Sequence, residues 1–173
     1  NNLDLFDRYG VNKIITSCPH GFNSFKNRYG KELQVQHSVQ YFADLVDNGK
    51  LNFSRKIEKV VTYQDPCFLG KHNNIFDEPR KIIESLPGVK FSELNRSRGR
   101  GVCCEGGGGR MWHDIPGERL AEKRVKEALE VGAEIIAVAC PFCLLTFDDA
   151  IKTTGNEDKI QVKDIMELVA EAL

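Results

Sequence analysis

Glu134-Ile135-Ile136-Ala137-Val138-Ala139-Cys140-Pro141-Phe142-Cys143 is the stretch on which the fold turns. After Glu134 the run to Ala139 is wholly apolar and rich in β-branched residues, which reads as a strand buried on both faces. Pro141 suits the first turn of a helix, where its missing N–H is no loss, and Pro141 to Thr153 reads as that helix. A doubly buried strand feeding a helix is the building unit of a parallel sheet.

The same alternation extends in both directions. Upstream, Glu118 to Val131 reads as a helix with Leu120, Val125, Ala128 and Leu129 on one face, ended by Gly132. Val60-Val61-Thr62-Tyr63 and Val89 to Leu94 read as strands. Between them a helix is expected with Asp77 as its N-cap, Pro79 in its first turn and Ile82, Ile83 and Leu86 on one face, stopped at Pro87-Gly88. Ile160 to Val162 is a strand and Asp164 to Leu173 a helix. Near the start, Lys13 to Thr16 and Leu33 to Val39 are strand-like, with a helix from Asn23 to Tyr29 between them. Tyr41, Phe42, Leu45 and Val46 sit at helical spacing up to Asn48-Gly49-Lys50, and Leu51 to Lys59 is an aperiodic linker. The expected class is therefore α/β: mostly parallel sheets with flanking helices, Rossmann-like.

Composition narrows the function. The chain has 173 residues, 41% hydrophobic and 28% charged, with a formal net charge of −1. No global field draws such a molecule onto nucleic acid or an anionic membrane. The longest apolar run, Ile135 to Leu145, falls short of the roughly 18–20 residues a membrane span needs. No charged-then-apolar leader opens the sequence, so the expected location is the cytoplasm or the cytosolic face of a membrane complex.

A repeat is also visible. At a shift of 122 residues Gly10 meets Gly132, Ile14 meets Ile136, Cys18 meets Cys140, Pro19 meets Pro141 and Phe25 meets Phe147. Residues 1–52 read as the closing half of a first, degenerate unit and residues 53–173 as a complete second unit, so the sequence is expected to be a fragment of a longer protein.

The complete unit carries Cys67, then 35 residues, Cys103-Cys104, then 35 residues, Cys140-x-x-Cys143. Each group follows a strand or lies in the Gly-rich loop, and in an open parallel sheet such loops converge at the carboxyl ends of the strands. Structural zinc and a cubane cluster each take four ligands. Five thiols with a vicinal pair exceed both and favour an enlarged or unusual iron–sulfur cluster, with zinc as the alternative and thioredoxin-like dithiol chemistry at Cys140 and Cys143 as a weaker third reading. The helix at Pro141 places its positive end beside the thiolates. Gly106 to Gly109 lets backbone N–H groups approach sulfur, and Arg98, Arg100 and Arg110 are expected to offset its charge.

Asp65-Pro66-Cys67-Phe68-Leu69-Gly70-Lys71-His72-Asn73, Cys103-Cys104-Glu105-Gly106-Gly107-Gly108-Gly109-Arg110-Met111-Trp112 and Cys140-Pro141-Phe142-Cys143 together resemble the CCG (cysteine-rich) domain. That domain occurs in heterodisulfide reductase catalytic subunits and related iron–sulfur oxidoreductase subunits, among them those of glycolate oxidase, anaerobic glycerol-3-phosphate dehydrogenase and membrane-associated menaquinone-linked enzymes. Cys18 to Asn27 resembles the end of a first CCG copy. The resemblance implies that Cys67, Cys103, Cys104, Cys140 and Cys143 ligate a noncubane [4Fe-4S] cluster. It implies electron transfer or reduction of a thiol/disulfide-type substrate, in an anaerobic setting. It also implies partner subunits carrying flavin or cubane clusters and a membrane quinone-linked subunit.

Two departures stand out. Gly21 occupies the position equivalent to Cys143, so the first copy has lost a thiol and Cys18 reads as a small buried remnant. Glu105 stands where the family has Gly; it is expected either to shift the positive-φ turn to Gly106 or to donate protons, which makes Glu105 and His72 the catalytic candidates. His20 and His72 read first as surface or loop-capping residues and second as donors to sulfur or substrate, and His37 and His113 have no motif support. Arg96 to Gly101 reads as a solvated loop rather than an RNA-binding tract, and Trp112 is expected in the core below it.

Overall fold

In the computed structural model, which describes residues 2–30, 33–113 and 116–173, the quoted stretch forms strand β5 (Ile135–Val138), with all four residues buried. The other strands are β1 (Lys13–Thr16), β2 (Gln34–His37), β3 (Val60–Tyr63), β4 (Lys90–Phe91) and β6 (Gln161–Asp164). The helices are α1 (Asn2–Arg8), α2 (Pro19–Arg28), α3 (Ser38–Asp47), α4 (Gly70–Asn73), α5 (Asp77–Ser85), α6 (Leu120–Glu130), α7 (Pro141–Thr153) and α8 (Ile165–Ala172). One sheet runs β4-β3-β5-β6 and a second pairs β1 with β2, every pairing being parallel. Both are α/β arrangements of the Rossmann-like kind. Among the described residues no helix is long and apolar enough to cross a membrane.

Successive strand side chains point to opposite faces, and β5 shows what that achieves. Ile135 and Ala137 enter one core with Ile82 and Ile83 of α5, Leu168 and Val169 of α8, and Val39 and Ala43 of α3. Ile136 and Val138 enter the other with Ala121 and Val125 of α6 and Phe147 and Ala150 of α7. Each fully buried Ile, Leu or Phe contributes about 1.5–3 kcal/mol of transfer free energy. The first core also takes Phe22 of α2, so the small sheet's helices pack into the same interior as the large sheet's.

The two segments related by the 122-residue shift share local backbone features. Gly10 and Gly132 both adopt positive φ, +63° and +73°. Cys18 and Cys140 are the N-cap residues of α2 and α7, each with Pro next in the first turn. The strands β2 and β6 each lead into a helix through a capping box, His37 with Gln40 and Asp164 with Glu167.

His37 is buried, and its Nδ1 accepts the Val39 N–H. Burial pushes its imidazole down to about 4 from the ordinary 6.5. The unfolded chain therefore binds this proton first as pH falls, so the stabilisation is complete above about 6.5 and is lost progressively toward pH 4. The expected loss is about 3 kcal/mol at the acid end, at 1.36 kcal/mol per pH unit. Urea denaturation of wild type and His37→Asn, which keeps a cap acceptor, should show a smaller acid loss in the variant. Equal losses would remove His37 as the cause.

Several expectations need correction. The N-cap of α5 is Phe76; Asp77 is the first helical residue and its carboxylate pairs with Arg98. The strand expected over Leu33 to Val39 ends at His37, because that residue's side chain starts α3. The strand expected over Val89 to Leu94 is only Lys90–Phe91, an edge strand. Leu51 to Lys59 has no regular structure but is tied down: Ser54 and Arg55 N–H donate to Ala172 O, Ile57 N–H donates to Pro87 O, and Ile57 is buried. Trp112 is 80% exposed rather than in the core, since Arg110–Trp112 forms a short 3-10 turn on the surface.

Candidate metal centre

The thiols gather where the large sheet reverses its order. From β3 the chain returns to β4 on one side, while β5 lies on the other, so the carboxyl ends of β3 and β5 flank a crevice. β3 leads through Gln64-Asp65-Pro66 to Cys67, and β5 leads through Ala139 to Cys140.

A buried ionic cluster fixes the first of these turns. Both Asp65 carboxylate oxygens accept from Arg80, at 2.8 and 2.9 Å, and one also accepts the Arg98 N–H at 2.6 Å. Arg80 donates further to Glu93 at 2.7 and 2.9 Å and to the Phe76 carbonyl at 2.7 Å. Gln64 Nε2 donates to Val102 O at 2.7 Å, and Gln64 Oε1 accepts from buried Arg124 at 2.9 Å. The Cys67 turn and the segment entering Cys103 are thus held by neighbouring members of one polar network.

The Gly-rich turn then wraps the vicinal pair. Glu105 itself adopts φ +67°, so the strained position is not passed to Gly106. Gly106 is required for another reason: a Cβ there would stand 2.5 Å from Thr146 Oγ1 and 2.9 Å from Phe142 O on α7. This close approach lets Glu105 N–H donate to Cys103 Sγ at 3.3 Å and Gly106 N–H to Cys104 Sγ at 3.4 Å. The Glu105 carboxylate turns away, accepting from Leu120 N–H and from Arg110, each at 3.1 Å, so it anchors the start of α6.

Cys67, Cys103, Cys104, Cys140 and Cys143 all line one cavity of about 20 Å³, closed by Pro19, His20, Pro66, Phe68, Gly107 and Phe142. Cys104, Cys140 and Cys143 are buried, Cys67 is half-buried and Cys103 is exposed. Cys104 Sγ and Cys143 Sγ are 3.2 Å apart. The sulfurs divide by charge preference. Cys103 is held well below the usual thiol range by donation from Cys104 and Cys67, with Lys71 adding attraction. Cys140 is also lowered, first by Cys143 and then by the α7 N–H groups of Cys143 and Phe142. Hydrogen bonding to their neighbours pushes Cys67, Cys104 and Cys143 up. Lys71, which no sequence motif singles out, is a cation that acts on Cys103. Of the arginines expected there, Arg98 pairs with Asp77 and Arg110 with Glu105.

The remaining candidates fall elsewhere or sharpen. Cys18 is half-buried rather than buried and lies outside the cavity lining. His72 is also outside the lining, stacked on Phe68 at 4.4 Å. His20 is in the wall, its pKa lowered by burial against the opposing pull of Cys103. Arg96, Arg98, Gly99 and Arg100 are exposed, as expected of a solvated loop, with Arg96 paired to Glu127. A larger open cavity of about 650 Å³, lined by Glu105, Arg110, His113, Arg119, Leu145 and Asp149 among others, contains no thiol.

A family model described as the CCG cysteine-rich domain matches residues 61–148, which hold all five cavity cysteines. The chain belongs to the CCG cysteine-rich domain family. This CCG chain is 39% identical to a probable iron–sulfur-binding oxidoreductase of Bacillus subtilis, over 99% of its own length and 25% of that protein. It is 37% identical to an EtfAB:quinone oxidoreductase of Syntrophomonas wolfei, over 99% of the chain and 26% of the relative. It is also 39% identical to one component of the dihydromethanophenazine:CoB–CoM heterodisulfide reductase of Methanosarcina barkeri, over 100% of the chain and 44% of that component. The CCG chain thus spans from a quarter to under half the length of these curated relatives.

Proposed function

We propose that this CCG chain is the cluster-binding part of an iron–sulfur oxidoreductase subunit, in which Cys67, Cys103, Cys104, Cys140 and Cys143 hold a noncubane [4Fe-4S] cluster. The observation that carries the reading is the meeting of three cysteine groups, far apart in sequence, at one cavity. The donor set fits an iron–sulfur group: thiolates are its ligands, two backbone N–H groups already address sulfur, and the start of α7 favours negative charge. When bound, such a cluster supplies single electrons, two of which with two protons cleave a disulfide into two thiols. The protein's own residues bind it, fix its orientation through Asp65 and the Gly-rich turn, and exclude water with Phe68 and Phe142.

The relatives' names support electron exchange with EtfAB- or quinone-linked partners and a heterodisulfide-type substrate. On this reading the protein works in the cytoplasm or at the cytosolic face of a membrane complex. Residues 1–52 are the closing half of a degenerate first unit, and residues 53–173 form the complete cluster-binding one. The test is iron, acid-labile sulfide and low-temperature paramagnetic resonance on protein purified without oxygen. About four irons and four sulfides per chain are expected. Zinc at a comparable level, with no visible absorbance and no resonance on oxidation or reduction, overturns the proposal.

A further inference from the structure

One wall of the thiol cavity comes from outside the residues that carry the five thiols. His20 belongs to the first turn of α2, in the half of the chain that has Gly21 where a second thiol is expected. Local packing leaves that loss unforced: a Cβ at Gly21 meets nothing nearer than 3.6 Å. The His20 ring nevertheless reaches the thiols. Its centroid lies 4.3 Å from that of Phe68, next to Cys67, and 5.2 Å from that of Phe142, next to Cys143. Its Nε2 stands 3.5 Å from where a Cβ on Gly107 would be, so that glycine leaves the imidazole room against the Gly-rich loop.

The second nitrogen is the informative one. Nδ1 is buried and has no hydrogen-bond partner. An unpaired buried polar atom is costly, and beside a cavity lined by sulfurs a bound group is one partner that would relieve it. No protein acceptor among the described residues serves it, and the cavity it helps to close is lined by five sulfurs.

We propose that His20 is a ligand-facing residue of the thiol site, its Nδ1–H donating to a sulfur held among Cys67, Cys103, Cys104, Cys140 and Cys143. The site is then composite. The degenerate half binds no cluster of its own and supplies the imidazole that the complete half lacks. This rests on the cluster reading above, so its test has one arm that needs the cluster and one that does not.

In the first arm, full-length chain labelled with nitrogen-15 histidine is loaded and reduced, and pulsed paramagnetic resonance records the nitrogen coupling. A coupling is expected in wild type and in His72→Phe, and is lost in His20→Phe at unchanged iron content. Its appearance only after addition of cystine also supports the proposal and puts the acceptor sulfur on the substrate. The reduction potential is expected to fall in His20→Phe and to recover in His20→Gln, because a donor to sulfur stabilises the reduced state. No histidine coupling in iron-loaded wild type, with or without cystine, or a coupling that survives in His20→Phe, overturns the proposal.

In the second arm, iron-free protein is alkylated with iodoacetamide and mapped by mass. Modification of Cys104, Cys140 and Cys143 is expected to accelerate about tenfold in His20→Ala and to stay at the wild-type rate in His20→Phe, since thiol reactivity follows access. Unchanged rates in His20→Ala show that the ring does not wall the cavity and also overturn the proposal. Failure to take up iron overturns the cluster reading and leaves this second arm to judge the position of His20.

Discussion

Cys104→Ser, Cys140→Ser and Cys143→Ser, purified without oxygen, are each expected to fall from about four irons per chain to less than about one, with loss of visible absorbance. These three sulfurs form the buried floor of the cavity, at 5%, 2% and 3% exposure. A serine hydroxyl there would be a hard, poorly ionised ligand in a water-poor setting, a weak substitute for a thiolate toward iron. Cys103→Ser should lose less, because Cys103 is exposed and water can take over its coordination position. Cys67→Ser separates this chemistry from simple dithiol exchange. A thioredoxin-like Cys140/Cys143 pair keeps its exchange activity without Cys67, whereas a cluster site loses iron. Full iron content in Cys104→Ser, Cys140→Ser and Cys143→Ser together would falsify the ligand assignment.

Arg80→Ala is expected to lower the unfolding free energy by about 3–5 kcal/mol, the usual effect of removing one partner from a buried ion pair. Arg80 and Asp65 side chains are 5% and 4% exposed, and Glu93 is 36% exposed. Removing the guanidinium leaves Asp65 without its two charged donors inside the protein and takes a cation from the face of Tyr63, 5.2 Å from the ring centre. Arg80→Lys should recover only a fraction, since an ammonium cannot reproduce the planar fork that spans both carboxylates. Because Asp65 also holds the Cys67 turn and the Arg98 N–H, iron affinity should fall along with stability. Urea titration combined with an Arg80→Ala/Asp65→Asn double-mutant cycle measures the coupling. A loss under about 1 kcal/mol in Arg80→Ala would show that water enters to solvate Asp65 and that the network does not organise the site.

The legibility of the fold varies with how local its causes are. The strand Ile135–Val138 and the helix Pro141–Thr153 are readable because apolar periodicity and a proline act within a few residues. Asp77 misleads as a cap because a carboxylate beside a helix start has two uses, and here Arg98, 21 residues on, claims it. Trp112 misleads because size and aromaticity say nothing about which way a surface turn points its side chain. At the site, cysteine spacing picks out the five residues that line the cavity. Lys71, Thr146 and the Asp65–Arg80–Glu93 cluster are not legible as site components, since each acts through space on a residue remote in sequence. Glu105 is half legible: the conflict between a side chain and a positive-φ turn is readable, but that Glu105 keeps the turn itself and anchors α6 depends on Leu120 arriving there.

The α/β class, the parallel pairing and the cysteines that come to line the cavity are readable from residue order alone, because they follow from β-branched runs, helix signals and thiol spacing. Only the tertiary structure decided that the three cysteine groups share one cavity, that Gly106 must lack a side chain, and that His20 from the other half closes the wall. These depend on where α2 and α7 come to rest against the Gly-rich turn. That is set by two cores, the first of which joins Phe22 near the start of the chain to Leu168 near its end.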